Sequence, residues 1–148
     1  MPIPALLVFR KKNYFYPMEH DTPFVHLRIK DNILIVSYRR NLIINLDVAH
    51  KIVLYRQSFS RGKKFAAIIL SQGVTSIDKP AREYLASEEG TEGLFASAII
   101  VNSPFSRFMG NFFMRVNKTS IPVKLFSNIS QAKKWLQQFI SNQSNGYG

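Results

Sequence analysis

The residues of this chain whose types could do chemistry are three histidines, a group of three carboxylates, and two polar clusters at predicted helix starts. His20, His26 and His50 could ligate a metal or act as general bases, yet they lack the short spacings that put two ligands on one face. Ordinary surface or boundary histidines are the simpler reading. Glu88, Glu89 and Glu92 flank Gly90 and Thr91. A hard cation needs several oxygens converging from alternating positions, which this run does not offer. A solvated loop, or an acidic patch that meets a basic partner, fits it better. No G-x-S-x-G elbow, G-x-G-x-x-G turn or G-x-x-x-x-G-K-[ST] loop occurs. Without cysteine there is no disulfide, thiolate metal site or thiol nucleophile. The expectation is a non-enzymatic chain, with no catalytic residue, metal site or cofactor.

Two other features point to binding. Ser76 and Asp78 precede one predicted helix, and Asn102 and Ser103 precede another that carries Arg107 one turn in. In an open α/β sheet ligands gather beyond the carboxyl ends of the strands, where helix N-termini present free N–H groups. Arg107 could help to hold an anion there. Plain helix capping accounts for the same residues. The second feature is the stretch 104–116, with Phe105, Phe108, Met109, Phe112, Phe113 and Val116 along one side. Aromatic stripes at helical spacing are usually core. Phe113 and Met114 widen the arc beyond one face, as a cover over a lipid-like pocket, a dimer contact or a membrane contact would. The candidate binding residues are thus Ser76, Asp78, Asn102, Ser103, Arg107, Phe108, Phe112 and Phe113. They would serve a protein partner or a small apolar or anionic ligand.

Hydrophobic periodicity predicts the elements that must position these residues. Residues 24–30 alternate apolar and polar, Asp31 and Asn32 supply a turn, and 33–38 return, as a β-hairpin does. Leu42 to Ile44 reads as a further short strand. Asn45 caps a helix in which Leu46, Ala49, Ile52, Val53 and Arg56 recur at three and four, and Asp47 sits where the helix dipole favours an acid. Gly62 closes the connection to 65–70, a near-continuous apolar run of the kind covered on both faces. Asp78 and Pro80 start a helix over 79–89, which Gly90 ends in a left-handed conformation. Residues 94–102 read as a buried strand, 104–116 as a helix and 122–126 as the last strand. Ser127 or Asn128 then caps a terminal helix with Ala132, Trp135, Leu136, Phe139 and Ile140 on its buried stripe. Such quick alternation predicts an α/β layer with parallel strands. Residues 1–17 read as an N-terminal extension, in which 5–9 could pair as an edge strand. Residues 18–142 read as one domain and 143–148 as a flexible tail.

A chain of 148 residues is long enough to bury a core without staples. Its longest apolar runs are too short to span a bilayer, and the first residues lack the basic start and cleavage site of a signal peptide. Freedom from cysteine suits a reducing cytoplasm, the expected location. The net charge is +11, and the last acid is Glu92, so the C-terminal third is purely basic. Further knots lie at Arg10 to Lys12, at Arg39 and Arg40, and at Arg61, Lys63 and Lys64. Such a field attracts nucleic acid, anionic headgroups or an acidic protein, or simply keeps the surface solvated. No DNA- or RNA-reading motif accompanies it, so nucleic-acid binding is the alternative rather than the leading reading. A homodimer and a peripheral membrane contact are further expectations.

Two strings carry a family resemblance: Asp78 to Gly90 (DKPAREYLASEEG) and Val101 to Phe113 (VNSPFSRFMGNFF). With the ending Pro122 to Phe126 followed by Ala132, Trp135 and Leu136, they resemble a bacterial family of unknown function described as STAS-like or SEC14-like, over residues 24–140. The resemblance implies a single STAS-like α/β domain: a mixed sheet of four to six strands, helices packed mainly on one face, and no catalysis. It also implies a distant tie to the SpoIIAA-like anti-sigma-factor antagonists, in which the second serine of a D-S-S-G motif is phosphorylated by a partner kinase. The matching positions here are Asp78, Lys79, Pro80 and Ala81. Pro80 has no hydroxyl, so that switch has no acceptor at its usual place; Ser76 and Thr75 are the nearest hydroxyls.

Overall fold

Asp31 and Asn32 both adopt positive φ, 55° and 63°, as a two-residue type I′ turn requires. In the computed structural model, which describes residues 18–145, this turn folds β2 (Val25–Lys30) back antiparallel on β3 (Ile33–Tyr38). From β3 onward the sheet is parallel, through β5 (Phe65–Leu70) and β7 (Leu94–Ile100) to β8 (Val123–Phe126). On the other edge β1 (Glu19–Asp21) lies antiparallel to β2, which completes a mixed sheet in the order β1-β2-β3-β5-β7-β8. A separate parallel pair joins β4 (Leu42–Ile44) to β6 (Val74–Ile77). The helices are α1 (Leu46–Ser60), α2 (Lys79–Ala86), α3 (Pro104–Val116) and α4 (Ile129–Asn145).

Strand residues alternate between two cores. Leu34, Val36, Phe65 and Ala67 face α1 and α2, against Ala49, Ile52 and Ala81. Ile33, Ile35, Ala66, Ile68, Ala96 and Ala98 face α4, against Ala132 and Leu136. The apolar run 65–70 is continuous because both of its faces are covered. α3 joins α1 and α2 on their side of the sheet, seated over β7 and β8. A Cβ on Gly110 would stand 3.0 Å from Val101 Cγ1 and 3.3 Å from Leu125 Cδ1, so the glycine sets how close this helix lies. Three helices on one face and one on the other make the α/β layer that the resemblance implies.

Several expectations change. β1 and β6 are strands that periodicity does not predict, and Ser76 lies within β6, opposite Ile43, rather than at a helix start. α2 stops at Ala86, not at residue 89, because Ser87 turns the chain extended and its Oγ donates to the Tyr84 carbonyl at 2.5 Å. Gly90 is not left-handed; the positive φ belongs to Gly93, at 91°. Glycine stands at 90 because a Cβ there would collide with the Tyr84 carbonyl oxygen. Leu46 leaves the buried stripe and is exposed. The last helix continues through the predicted start of the tail to Asn145. The proposed edge strand at 5–9 lies outside the described residues, as do 146–148.

Candidate functional site

Beneath α3 the packing leaves a cavity of about 160 Å³, with walls drawn from both sheets and three helices. Ile69 and Ile99 form its floor on β5 and β7, Ile44 and Ile77 one side, and Leu85 and Phe113 the helical side. Large side chains fill the space under α1 and α2. At the seam with α3 the lining turns small (Ser71, Thr75, Thr91, Ser106 and Gly110), and the seam stays open.

One charged side chain enters this wall. Arg56 falls on the buried stripe of α1, one turn beyond Ile52 and Val53, and keeps only 6% of its surface exposed. Its Nη2 donates to the carbonyl oxygens of Gly90 and Glu92, at 3.1 and 2.7 Å. The loop after α2 is thus folded around a guanidinium. Gly90 N–H donates to Ser87 Oγ at 3.1 Å, and Thr91 Oγ1 donates to the Ser87 carbonyl at 2.8 Å. Gln57 donates to the Glu92 carboxylate at 3.3 Å. The acidic run 88–92 therefore meets Arg56 with its backbone and not with its carboxylates. Burial pulls the guanidinium below its usual pKa, against smaller opposing effects from Tyr38, Tyr84 and Glu92.

Of the hydroxyls that line the cavity, which include Ser71, Thr75, Thr91, Ser106 and Thr119, two belong to Tyr38 and Ser97. Tyr38 ends β3, and burial pushes its phenol above the ordinary tyrosine value, with the charge of Arg56 opposing that shift. Ser97 lies on β7 and is 6% exposed. Among the described residues neither hydroxyl has a hydrogen-bond partner.

Of the eight candidate binding residues, only Phe113 lines this cavity. Asp78 caps α2 by accepting from Ala81 N–H at 3.0 Å, and Ser103 caps α3 in a reciprocal box with Ser106. Both helix starts are thus closed by their own caps. Arg107 reaches across to Ser127 Oγ at 2.8 Å, and Asn102 lines a cleft of about 370 Å³ with Ser127, Asn128 and Leu70 at the carboxyl ends of β5 and β7. Ser76 is exposed away from both. Among the described residues, Phe108 and Phe112, rather than Phe113 and Met114, are the exposed large apolar side chains of α3, at 66% and 36% exposure. The side chains of Phe105, Met109 and Val116 lie outside the described residues. His26 bridges Glu19 and Asp21, His50 packs edge-on against Tyr84, and His20 stacks on Phe59. Among the described residues no group of histidines and carboxylates could hold a metal, and no helix is long and apolar enough to cross a membrane.

Sequence reasoning places Arg56 on the apolar stripe of its helix without giving it a role, and passes over Tyr38 and Ser97. The signal for the first was present: a charge that ends an otherwise apolar helical stripe is buried by its own periodicity. The hydroxyls carry no such mark.

A solved structure shares this architecture: an uncharacterised protein of the DUF3478 family with a SpoIIAA-like fold, from Shewanella loihica PV-4. The two agree with a TM-score of 0.52 and 14% sequence identity, over 76% of this chain and 91% of that one. Likeness at that identity shows the fold, which is STAS-like as the sequence implies. No curated protein matches the sequence. Residues 27–140 match the model of the family described as domain of unknown function DUF7793, and the chain belongs to that family.

Proposed function

We propose that this protein is a non-enzymatic, STAS-like binding or regulatory domain whose working site is the cavity under α3, filled by a small, largely apolar ligand. The apolar lining carries the reading: Ile44, Ile69, Ile77, Leu85, Ile99 and Phe113 face a space that opens at the seam under α3. A ligand that covers these side chains removes apolar surface from water, worth roughly 25 cal/mol per Å². Because α3 is both roof and bearer of the exposed Phe108 and Phe112, occupancy sets how the helix seats and what a partner protein meets on its outer face.

Native mass spectrometry of the protein purified from its own host tests this. The expected spectrum contains the chain with one retained small molecule, and the same molecule is lost on denaturation. A bare chain that also fails to take up xenon or benzene at the cavity would overturn the reading.

A further inference from the structure

The outer face of α3 has a chemistry of its own, apart from what fills the cavity beneath it. Phe108, Asn111, Phe112 and Arg115 follow one another at three and four along the helix, and all four are exposed. Arg107 flanks the first ring, and the guanidinium of Arg82 on α2 lies over the second. Exposed apolar residues scattered singly need no explanation, but a pair one turn apart among three cations does. None of those arginines makes an ion pair among the described residues, whereas Arg39, Lys51 and Lys133 each face an aspartate. No acid stands on α3 or anywhere after it, since the last is Glu92. The two rings are thus set in positive charge that the helix itself does not balance.

We infer that this face of α3 docks on an anionic bilayer surface, with the rings of Phe108 and Phe112 at headgroup depth and Arg82, Arg107 and Arg115 level with the lipid phosphates. Charge selects the class of partner, because a second copy of the chain would set arginines against arginines. Shape selects within that class. A protein groove that takes a helix reads anchors over two turns or more, and the aromatic pair spans one before Arg115 follows. A single-stranded nucleic acid stacks its bases on ring faces, and one face of Phe112 is already covered by Arg82. A bilayer requires neither a groove nor a free ring face. It accepts apolar side chains at the acyl boundary and attracts each cation held near its surface. The Gly110 side of α3 is seated against Val101 and Leu125, so the helix meets the lipid without leaving the sheet.

Co-sedimentation of the full-length protein with two kinds of vesicle tests this: phosphatidylcholine alone, and phosphatidylcholine with phosphatidylserine in equal parts. The protein is expected to pellet with the mixed vesicles, to stay in solution with the neutral ones, and to be released as salt is raised. Phe108→Ala removes a ring that is 66% exposed and should weaken binding about tenfold. Arg115→Gln should weaken it about fivefold. Lys134→Gln takes the same charge from an exposed site on α4, across the sheet, and should change binding by less than about twofold. Urea midpoints establish that each variant is folded. Failure to pellet with the mixed vesicles overturns the assignment, as does equal pelleting with the neutral ones or a pellet that Phe108→Ala leaves unchanged. So does an equal loss in Lys134→Gln, which would make the charge of the whole protein the cause. If instead a single-stranded oligonucleotide or polyglutamate binds, and loses that binding in Phe108→Ala, the face belongs to a nucleic acid or an acidic protein and the bilayer assignment falls.

Discussion

The guanidinium carbon of Arg82 lies 5.1 Å from the ring centroid of Phe112, so a cation–π contact joins α2 to α3, the helices that bring Leu85 and Phe113 to the cavity. Arg82 is fixed from behind by a hydrogen bond from Nη1 to the Ile77 carbonyl at 3.1 Å, while its buried Nε has no partner among the described residues. The contact is thus a brace between two elements that the sheet alone holds at different places.

Removing that brace should matter more than removing a more exposed ring nearby. Phe112→Ala is expected to lower stability by about 0.5–1 kcal/mol, the usual worth of such a contact at a partly exposed site. Phe108→Ala, on a side chain 66% exposed, should stay within about 0.5 kcal/mol of the parent. Urea midpoints of the two variants decide it: equal losses would mean that Arg82 and Phe112 do not act as a pair.

Gly110 makes a second prediction about α3. Replacing a mid-helix glycine by alanine ordinarily gains about 1 kcal/mol. Here the added Cβ would press on Val101 Cγ1 at 3.0 Å and Leu125 Cδ1 at 3.3 Å. Gly110→Ala should therefore show none of the expected gain, and Gly110→Val should cost about 1–3 kcal/mol as an overpacked contact. A Gly110→Ala protein stabilised by the full propensity increment would show that α3 is free to lift from β7 and β8.

These contacts also mark where sequence reading succeeds and stops. The hairpin, the buried strands at 65–70 and 94–100, α1 and α4 are legible because each buries a regular stripe, and α3 because Ser103 and Pro104 mark its start. β6 is not, since Val74-Thr75-Ser76-Ile77 is half polar and becomes a strand only through its pairing with β4. β1 is an exposed edge with no apolar pattern at all. The cavity is least legible, because Tyr38, Arg56 and Ser97 come to line one space only once β3, β5 and β7 are side by side and α1 crosses above them. Its polar groups look, one at a time, like a strand end, a helix flank and a small residue in an apolar run.

The edge strand β1 should be sensitive to acid. Asp21 pairs with Arg39 and lies 3.2 Å from His26 Nδ1, and these contacts, Arg39 first, hold its carboxyl below the ordinary aspartate range. A depressed carboxylate contributes stability that is present above its unfolded pKa and is lost as pH falls through its folded pKa. Asp21→Asn is thus expected to be slightly less stable than the parent at neutral pH and to converge with it at the acid end. The difference is small, since the carboxylate is exposed and solvent-screened. Urea titrations at several pH values read it directly, and a gap that widens toward acid would reverse the assignment.

The two faces of the sheet should answer independently to mutation. Ala66, Ala96 and Ala98 keep the strands low on one side, where Ala132 and Leu136 of α4 settle, all of them fully buried. Leu136→Ala opens a hole there and should cost about 2–5 kcal/mol. Ala98→Leu should cost about 1–3 kcal/mol by forcing α4 outward. Neither residue touches the cavity under α3, which lies across the sheet among the side chains of alternate parity: Ile69, Ser97 and Ile99. Benzene affinity measured in Leu136→Ala, at temperatures where it is fully folded, should therefore match the parent. A loss of probe binding that tracks the loss of stability would mean that the sheet transmits strain between its faces, and that α4 takes part in forming the site.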